Sequence, residues 1–261
     1  MPSTDQSSLI LPDPYLPSQD LLKDRVIIVT GAGQGMGRMA ATVYAEHGAT
    51  IILTGRNVAK LEATYDTLVA AGGPEPAMLP FDLAKADDTA FHGFAQTVHA
   101  TFGRLDGILH CAAHFVPLAP VATQTLDQWL ELLRVNLAAP FALTRACLPM
   151  LKRATDASVV FVGESHGVRP KAYWGGFAVA KAGLGALTTI WAQELAQSAV
   201  RINCLVPGPV DSPQRRQSHP GEMPGSLPTL ASLAPTCLYL IGPDSRQVTG
   251  HLLELTHRDA T

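Results

Sequence analysis

The chain has 261 residues, 47% hydrophobic and 16% charged, which suits one sizeable globular domain and excludes a disordered or two-domain protein. A formal net charge of −3, without a basic patch or acidic tail, argues against a nucleic-acid partner. Its longest apolar runs, such as residues 26–29 and 158–162, are strand-sized and cannot span a bilayer as helices. The expectation is a soluble, cytoplasmic protein with no membrane partner.

Residues 1–20 hold several prolines with Ser, Asp and Gln, and lack the basic and apolar regions of a signal peptide. They read as a flexible leader before a domain over 21–261. The apolar run at 26–29 is short and rich in β-branched residues, as in a strand buried on both faces. It breaks into Gly31-Ala32-Gly33-Gln34-Gly35-Met36-Gly37. Gly31 suits a tight turn, Gly35 a close backbone approach to a ligand, and Gly37 the packing of a helix over 36–47 against the strand. A second strand at 50–54 completes the strand, turn, helix, strand context of a dinucleotide site, with pyrophosphate at the helix start.

Strands and helices then alternate. Helices are expected at 58–71, 87–102, 126–151, 175–197 and 227–241, and strands at 77–81, 106–111, 158–163, 201–206 and 251–255. This pattern predicts an α/β, single-domain Rossmann fold, a doubly wound parallel sheet of about seven strands with helices on both faces. Ligands of such sheets lie beyond the carboxyl ends of the strands. After the second strand, Gly55-Arg56-Asn57 offers no carboxylate for a ribose, while Arg56 can pair with a 2′-phosphate, so NADP is expected and NADPH preferred over NADH. Asp82, after the third strand, suits either the adenine amino group or the N-cap of the next helix. Cys111, Cys147, Cys204 and Cys237 lack CxxC spacing and read as reduced core thiols, and no HxH or HExxH spacing supports a metal.

Thr30-Gly31-x-x-x-Gly35-x-Gly37, Asp82-Leu83, Val135-Asn136, Pro207-Gly208 and a helix bearing Lys181 resemble the short-chain dehydrogenase/reductase family over about 21–255. Gly55-Arg56-Asn57, Trp174-Gly175 and Asp244-Ser245-Arg246-x-x-Thr249-Gly250 are similar to a bacterial NADP-type branch. The resemblance implies hydride transfer between nicotinamide and a carbonyl or alcohol by an Asn, Ser, Tyr and Lys tetrad. In that scheme Tyr is the acid, Lys lowers its pKa and holds the ribose, Ser bonds the carbonyl, and Asn anchors a relay water.

The sequence departs from that pattern. The tetrad positions carry Asn136, Glu164, Phe177 and Lys181, and a phenyl ring has no proton to give. Losing a positioned acid costs about a hundredfold to ten-thousandfold in rate. Cys111-Ala112-Ala113 replaces the family's Asn-Ala-Gly beside the cofactor. The resemblance otherwise preserves cofactor contacts at Leu83, Cys111, Lys181, Pro207, Gly208, Val210 and Ser212, the last at the family's Thr position toward the carboxamide. His110, His114, Glu164 and His166 follow neighbouring strands and are expected to converge, with a protonated Glu164 as the first substitute acid and His114 or Tyr173 next.

Residues 209–228, with Arg215 and Arg216, lie where the family keeps a substrate lid, and these arginines suit an acidic substrate. Three functions follow: an NADP(H)-dependent oxidoreductase with an altered proton donor, a non-redox enzyme on the same fold, or a silent dinucleotide binder acting as sensor or partner subunit. Helices 126–151 and 175–197 resemble those that build the family's homodimer and homotetramer contacts.

Overall fold

The computed structural model describes residues 15–255. Seven strands form one parallel sheet: β1 (Val26–Thr30), β2 (Thr50–Thr54), β3 (Ala77–Met78), β4 (Gly107–His110), β5 (Ala157–Val162), β6 (Val200–Val206) and β7 (Leu252–Glu254). Their order is β3-β2-β1-β4-β5-β6-β7, so the direction of winding reverses between β1 and β4. Side-chain alternation sends Ile27 and Val29 into one apolar cluster and Val26 and Ile28 into the other. The first cluster lies under α1 (Gly35–Glu46) and, near the chain's end, a helix at Ala234–Ile241. Past α2 (Val58–Ala70), the second lies under α3 (Asp88–Phe102) and the helices that follow β4.

Several boundaries differ from the sequence expectation. The ladder of β3 stops before Pro80, which has no N–H to give, although Phe81 still donates to the Gly55 carbonyl at 3.0 Å. The expected helix over 126–151 is three segments: α4 (Leu126–Leu133), a π-turn at Arg134–Ala138, and α5 (Ala139–Leu151). A short helix, α6 (Ser165–Val168), follows β5 and precedes α7 (Gly175–Glu194). The Pro-rich loop folds in part as α8 (Pro213–Ser218). The last expected helix begins as a 3₁₀ turn, Leu230–Leu233, before α9 (Ala234–Ile241). Of the leader, residues 1–14 lie outside the described residues; Tyr15 packs edge-on against Tyr239 and donates to Asp244 at 2.8 Å. Among the described residues no helix is long and apolar enough to cross a membrane.

His110 does not join the other candidate acids. It lies 3% exposed beneath α5, stacked on Phe161, with Nε2 2.8 Å from the Thr144 hydroxyl. Burial, with a smaller contribution from Lys181, pulls its pKa down to about 3. The folded value lies below the unfolded one, so the unfolded chain binds the extra proton as pH falls below about 6.5. At pH 5 this linkage removes about 2 kcal/mol of stability. His110→Phe, which cannot titrate, should therefore gain about 2 kcal/mol relative to wild type between pH 7 and pH 5 in urea unfolding. A difference that does not change with pH would contradict the assignment.

Candidate active site

The reversal of winding opens a cleft of about 1270 Å³ at the carboxyl ends of the strands. Its floor is a close approach of two turns. Gly31 has a φ of +69°, and a Cβ there would lie 2.9 Å from Ala112 Cα. The Thr30 hydroxyl ties the turns together, accepting from the Cys111 and Ala112 N–H groups, each at 3.0 Å. Gly31, Gly33, Gln34, Gly35 and Met36 line the cleft. Gly37 lies behind them, where a Cβ would come within 2.7 Å of the Gly31 carbonyl carbon. Arg38 holds the turn from outside, donating to Gly33 O at 2.9 Å and Thr64 Oγ1 at 3.0 Å.

One corner of the cleft is basic. Asn57 caps α2 by accepting from Lys60 N at 2.9 Å, so Arg56 is not needed as the cap, and among the described residues no carboxylate pairs with it. Lys60, one helical turn further, lines the same corner and donates to Gln34 Oε1. Sequence reasoning missed Lys60, which the Asn57 cap places in the first turn of α2. Leu83 lines the cleft. Asp82 does not cap the next helix: its Oδ1 accepts from Ala84 N at 3.0 Å, and Asp87 caps α3 instead.

At the other end, Lys181 is buried and donates from Nζ to Val162 O at 2.7 Å. Burial lowers its pKa, against smaller opposing effects from Cys111, Cys204 and Glu164. Phe177, one turn earlier on α7, is 1% exposed and forms no part of the cleft wall. It is covered by Phe115, edge-on at 5.1 Å, and by Trp174 at 6.2 Å. Asn136 sits in the π-turn, which frees Leu132 O to accept from its Nδ2 at 2.9 Å. Its remaining bonds go to His114, Nδ2 to O at 2.8 Å and N to Oδ1 at 3.1 Å. Asn136 therefore fixes the chain that leaves β4.

The expected convergence of four residues is only partial. Glu164, Ser165, His166 and His114 line the cleft, but His114 Nε2 faces Glu131 Oε2 at 3.7 Å. Tyr173 is 57% exposed with a φ of +76° and is not part of the wall, which removes it as a substitute acid. The chain turns into α6 at Ser165, so Glu164 and Ser165 are not alternating strand residues. Glu164 meets His166 Nδ1 at 3.4 Å and accepts from Gln214 Nε2 at 3.2 Å. The His166 ring stacks on Trp174 at 3.9 Å.

Residues after β6 close the roof. Pro207, Gly208, Val210, Ser212 and Arg215 line the cleft, and Pro213 reaches toward the position of a Cβ on Gly35. Ser212 Oγ caps α8 by accepting from Arg215 N at 3.1 Å. Neither arginine awaits an acidic substrate: Arg215 pairs with Glu222, and Arg216 pairs with Asp211 at 2.9 Å. These bonds hold both carboxyls below their usual pKa. All four cysteines are free thiols, and among the described residues no group of three or more His, Cys, Asp or Glu could hold a metal ion.

The family model for short chain dehydrogenase matches residues 25–222. The chain belongs to the short chain dehydrogenase family. An uncharacterized oxidoreductase, YciK of Escherichia coli K12, is 38% identical over 236 residues, covering 90% of this chain and 93% of that protein. A solved short chain dehydrogenase from Pseudomonas syringae superposes with a TM-score of 0.89 at 39% identity, over 92% of this chain and 98% of the other. A family member from Escherichia coli CFT073, complexed with NADPH, gives a TM-score of 0.88 at 37% identity, over 91% and 99% of the two chains.

Asn136→Ala would leave the His114 N–H and two carbonyls without their partner. The expected loss is about 1–3 kcal/mol in urea unfolding, with faster amide exchange at His114. Unchanged exchange there would contradict the anchoring role.

Proposed function

We propose that the protein is an NADP(H)-dependent oxidoreductase acting on a carbonyl or alcohol, with its proton supplied by a group other than residue 177. The observation that carries this reading is a cleft with the parts of a dinucleotide cradle: a glycine turn that a Cβ would fill, Arg56, which no carboxylate among the described residues pairs, with Lys60 at one end, and buried Lys181 at the other. The residues fit the group. Gly31 to Met36 would take the pyrophosphate, Arg56 and Lys60 the 2′-phosphate, and Lys181 the nicotinamide ribose. Ser212 keeps its hydroxyl proton for the carboxamide oxygen, since its Oγ only accepts in capping α8. The NADPH held by the similar E. coli CFT073 protein supports the same choice here. When bound, the cofactor supplies a hydride or accepts one.

The chain's own residues then orient the carbonyl, exclude water and provide the proton. Phe177 holds the family's acid position in this reading, and Phe115 and Trp174 seal it from the cleft. That same sealing favours a second reading, a silent NADP(H)-binding subunit. Residues 209–228 act as the lid, and the apolar surfaces of Leu126, Leu130, Val179 and Ile190 on α4 and α7 form homo-oligomer contacts.

NADPH consumption over a panel of aldehydes, ketones and quinones separates the two readings. An oxidoreductase turns over as wild type, whereas turnover confined to Phe177→Tyr would establish a cleft silenced at that position. Arg56→Ala should weaken NADPH binding about tenfold and leave NADH binding unchanged, the loss of one charge-assisted phosphate contact. Equal losses for both nucleotides would contradict the 2′-phosphate role.

A further inference from the structure

We propose that His166, held by Glu164, is the proton donor that replaces the missing tyrosine. The assignment rests on reading the cleft as a reductase site. Its observations are the placement of the imidazole, the partners of its two nitrogens, and the commitments of every competing donor.

The imidazole is built into the site. α6 begins where β5 ends, and a Cβ at Gly167 would lie 2.9 Å from Ala182 N and from the Lys181 carbonyl carbon, so this turn rests directly on the α7 backbone at Lys181. The His166 ring lies 3.9 Å from the Trp174 indole, nearly parallel at 13°, and Trp174 in turn covers Phe177. His166 therefore occupies the cleft face of the same aromatic cluster whose interior is Phe177.

The nitrogens are differentiated. Glu164 Oε1 faces Nδ1 at 3.4 Å, while Nε2 has no protein partner among the described residues. The other Glu164 oxygen accepts from Gln214 at 3.2 Å, so both oxygens face donors. In this assignment Glu164 is the acceptor that holds the Nδ1 side of the ring. A carboxylate at Nδ1 directs the labile proton to Nε2, as in other carboxylate–histidine pairs.

The alternatives are occupied. His114 turns Nε2 to Glu131 on α4 at 3.7 Å, His110 is buried against Thr144, and Lys181 donates to Val162 O and gives its remaining protons to the ribose in the proposed reading. His219 also borders the cleft, but burial and Arg215 hold it below its usual pKa, which favours the neutral ring. In the reduction, the carbonyl carbon gains two electrons as hydride from the reduced nicotinamide dinucleotide, and the C=O π bond breaks. The oxygen takes the Nε2 proton as that N–H bond breaks, leaving neutral imidazole and an alcohol, and a hydronium proton from bulk solvent returns to Nε2 with release of water.

The test uses the full chain with NADPH and benzaldehyde, acetophenone, phenanthrenequinone and menadione. His166→Phe keeps a ring on Trp174 and should lower turnover about a hundredfold while NADPH affinity stays within about twofold. Adding Phe177→Tyr to His166→Phe should leave turnover low, since Phe115 and Trp174 seal position 177 from the cleft. Without nucleotide, ¹⁵N spectra of histidine-labelled wild type should place the neutral His166 proton on Nδ1, and Glu164→Leu should move it to Nε2. Full turnover by His166→Phe, or an Nε2–H tautomer in wild type, would overturn the proposal and leave the reductase reading standing. Turnover confined to Phe177→Tyr, with none by wild type, would overturn it by showing that the native cleft has no donor. Absence of turnover in every variant would overturn the reductase reading as well.

Discussion

The cleft depends on the approach of two backbone turns, Gly31 after β1 and Cys111–Ala112 after β4, to a separation that excludes a side chain. Thr30 holds that approach by accepting two N–H groups with one hydroxyl. At the opposite end of the sheet, Asp156 is clasped by Arg25 at 2.8 Å and Arg201 at 3.2 Å, which joins the starts of β1, β5 and β6. Burial alone would raise the Asp156 pKa, but the two guanidiniums outweigh it and hold it below the usual carboxylate value. The strands are tied at their amino ends and open toward the ligand side.

On that frame, the chemistry turns on where protons can reside. Phe177 removes a hydroxyl from a site where it would need a partner, and its ring instead packs within Phe115, Trp174 and Leu132, with the Lys181 ammonium 5.7 Å from its centroid. Lys181 keeps its place without a phenol because Val162 O accepts from it. The cofactor end and the proton end are therefore separable. In the proposed reading the first would rest on glycines, Arg56, Lys60 and Lys181, and the second on Trp174, His166 and Glu164, all of which line the cleft.

Much of the fold was legible because its signals are local. β-branched runs, glycines and helix caps specify strands and turns within a few residues of themselves, so the parallel sheet and the dinucleotide turn emerged at nearly their observed positions. The misses depend on tertiary geometry. The π-turn at Arg134–Ala138 follows from Asn136 binding a segment 22 residues away, and nothing in 126–151 announces it. Arg215 and Arg216 looked available because Glu222 and Asp211 meet them only once the segment 209–228 folds. His110 and His166 looked equivalent beside strand ends, yet one points under α5 and the other lies on Trp174. Strand alternation could not separate Glu164 from Ser165, because the helix starts between them.

The central claim is that this cleft is an NADP(H) site whatever becomes of the proton chemistry. Calorimetric titration of the full-length wild-type chain with NADPH, and separately with NADH, tests it most directly. The account predicts saturable binding at one site per chain, with NADPH the tighter ligand. Absence of binding by either nucleotide, or tighter binding of NADH, would contradict it.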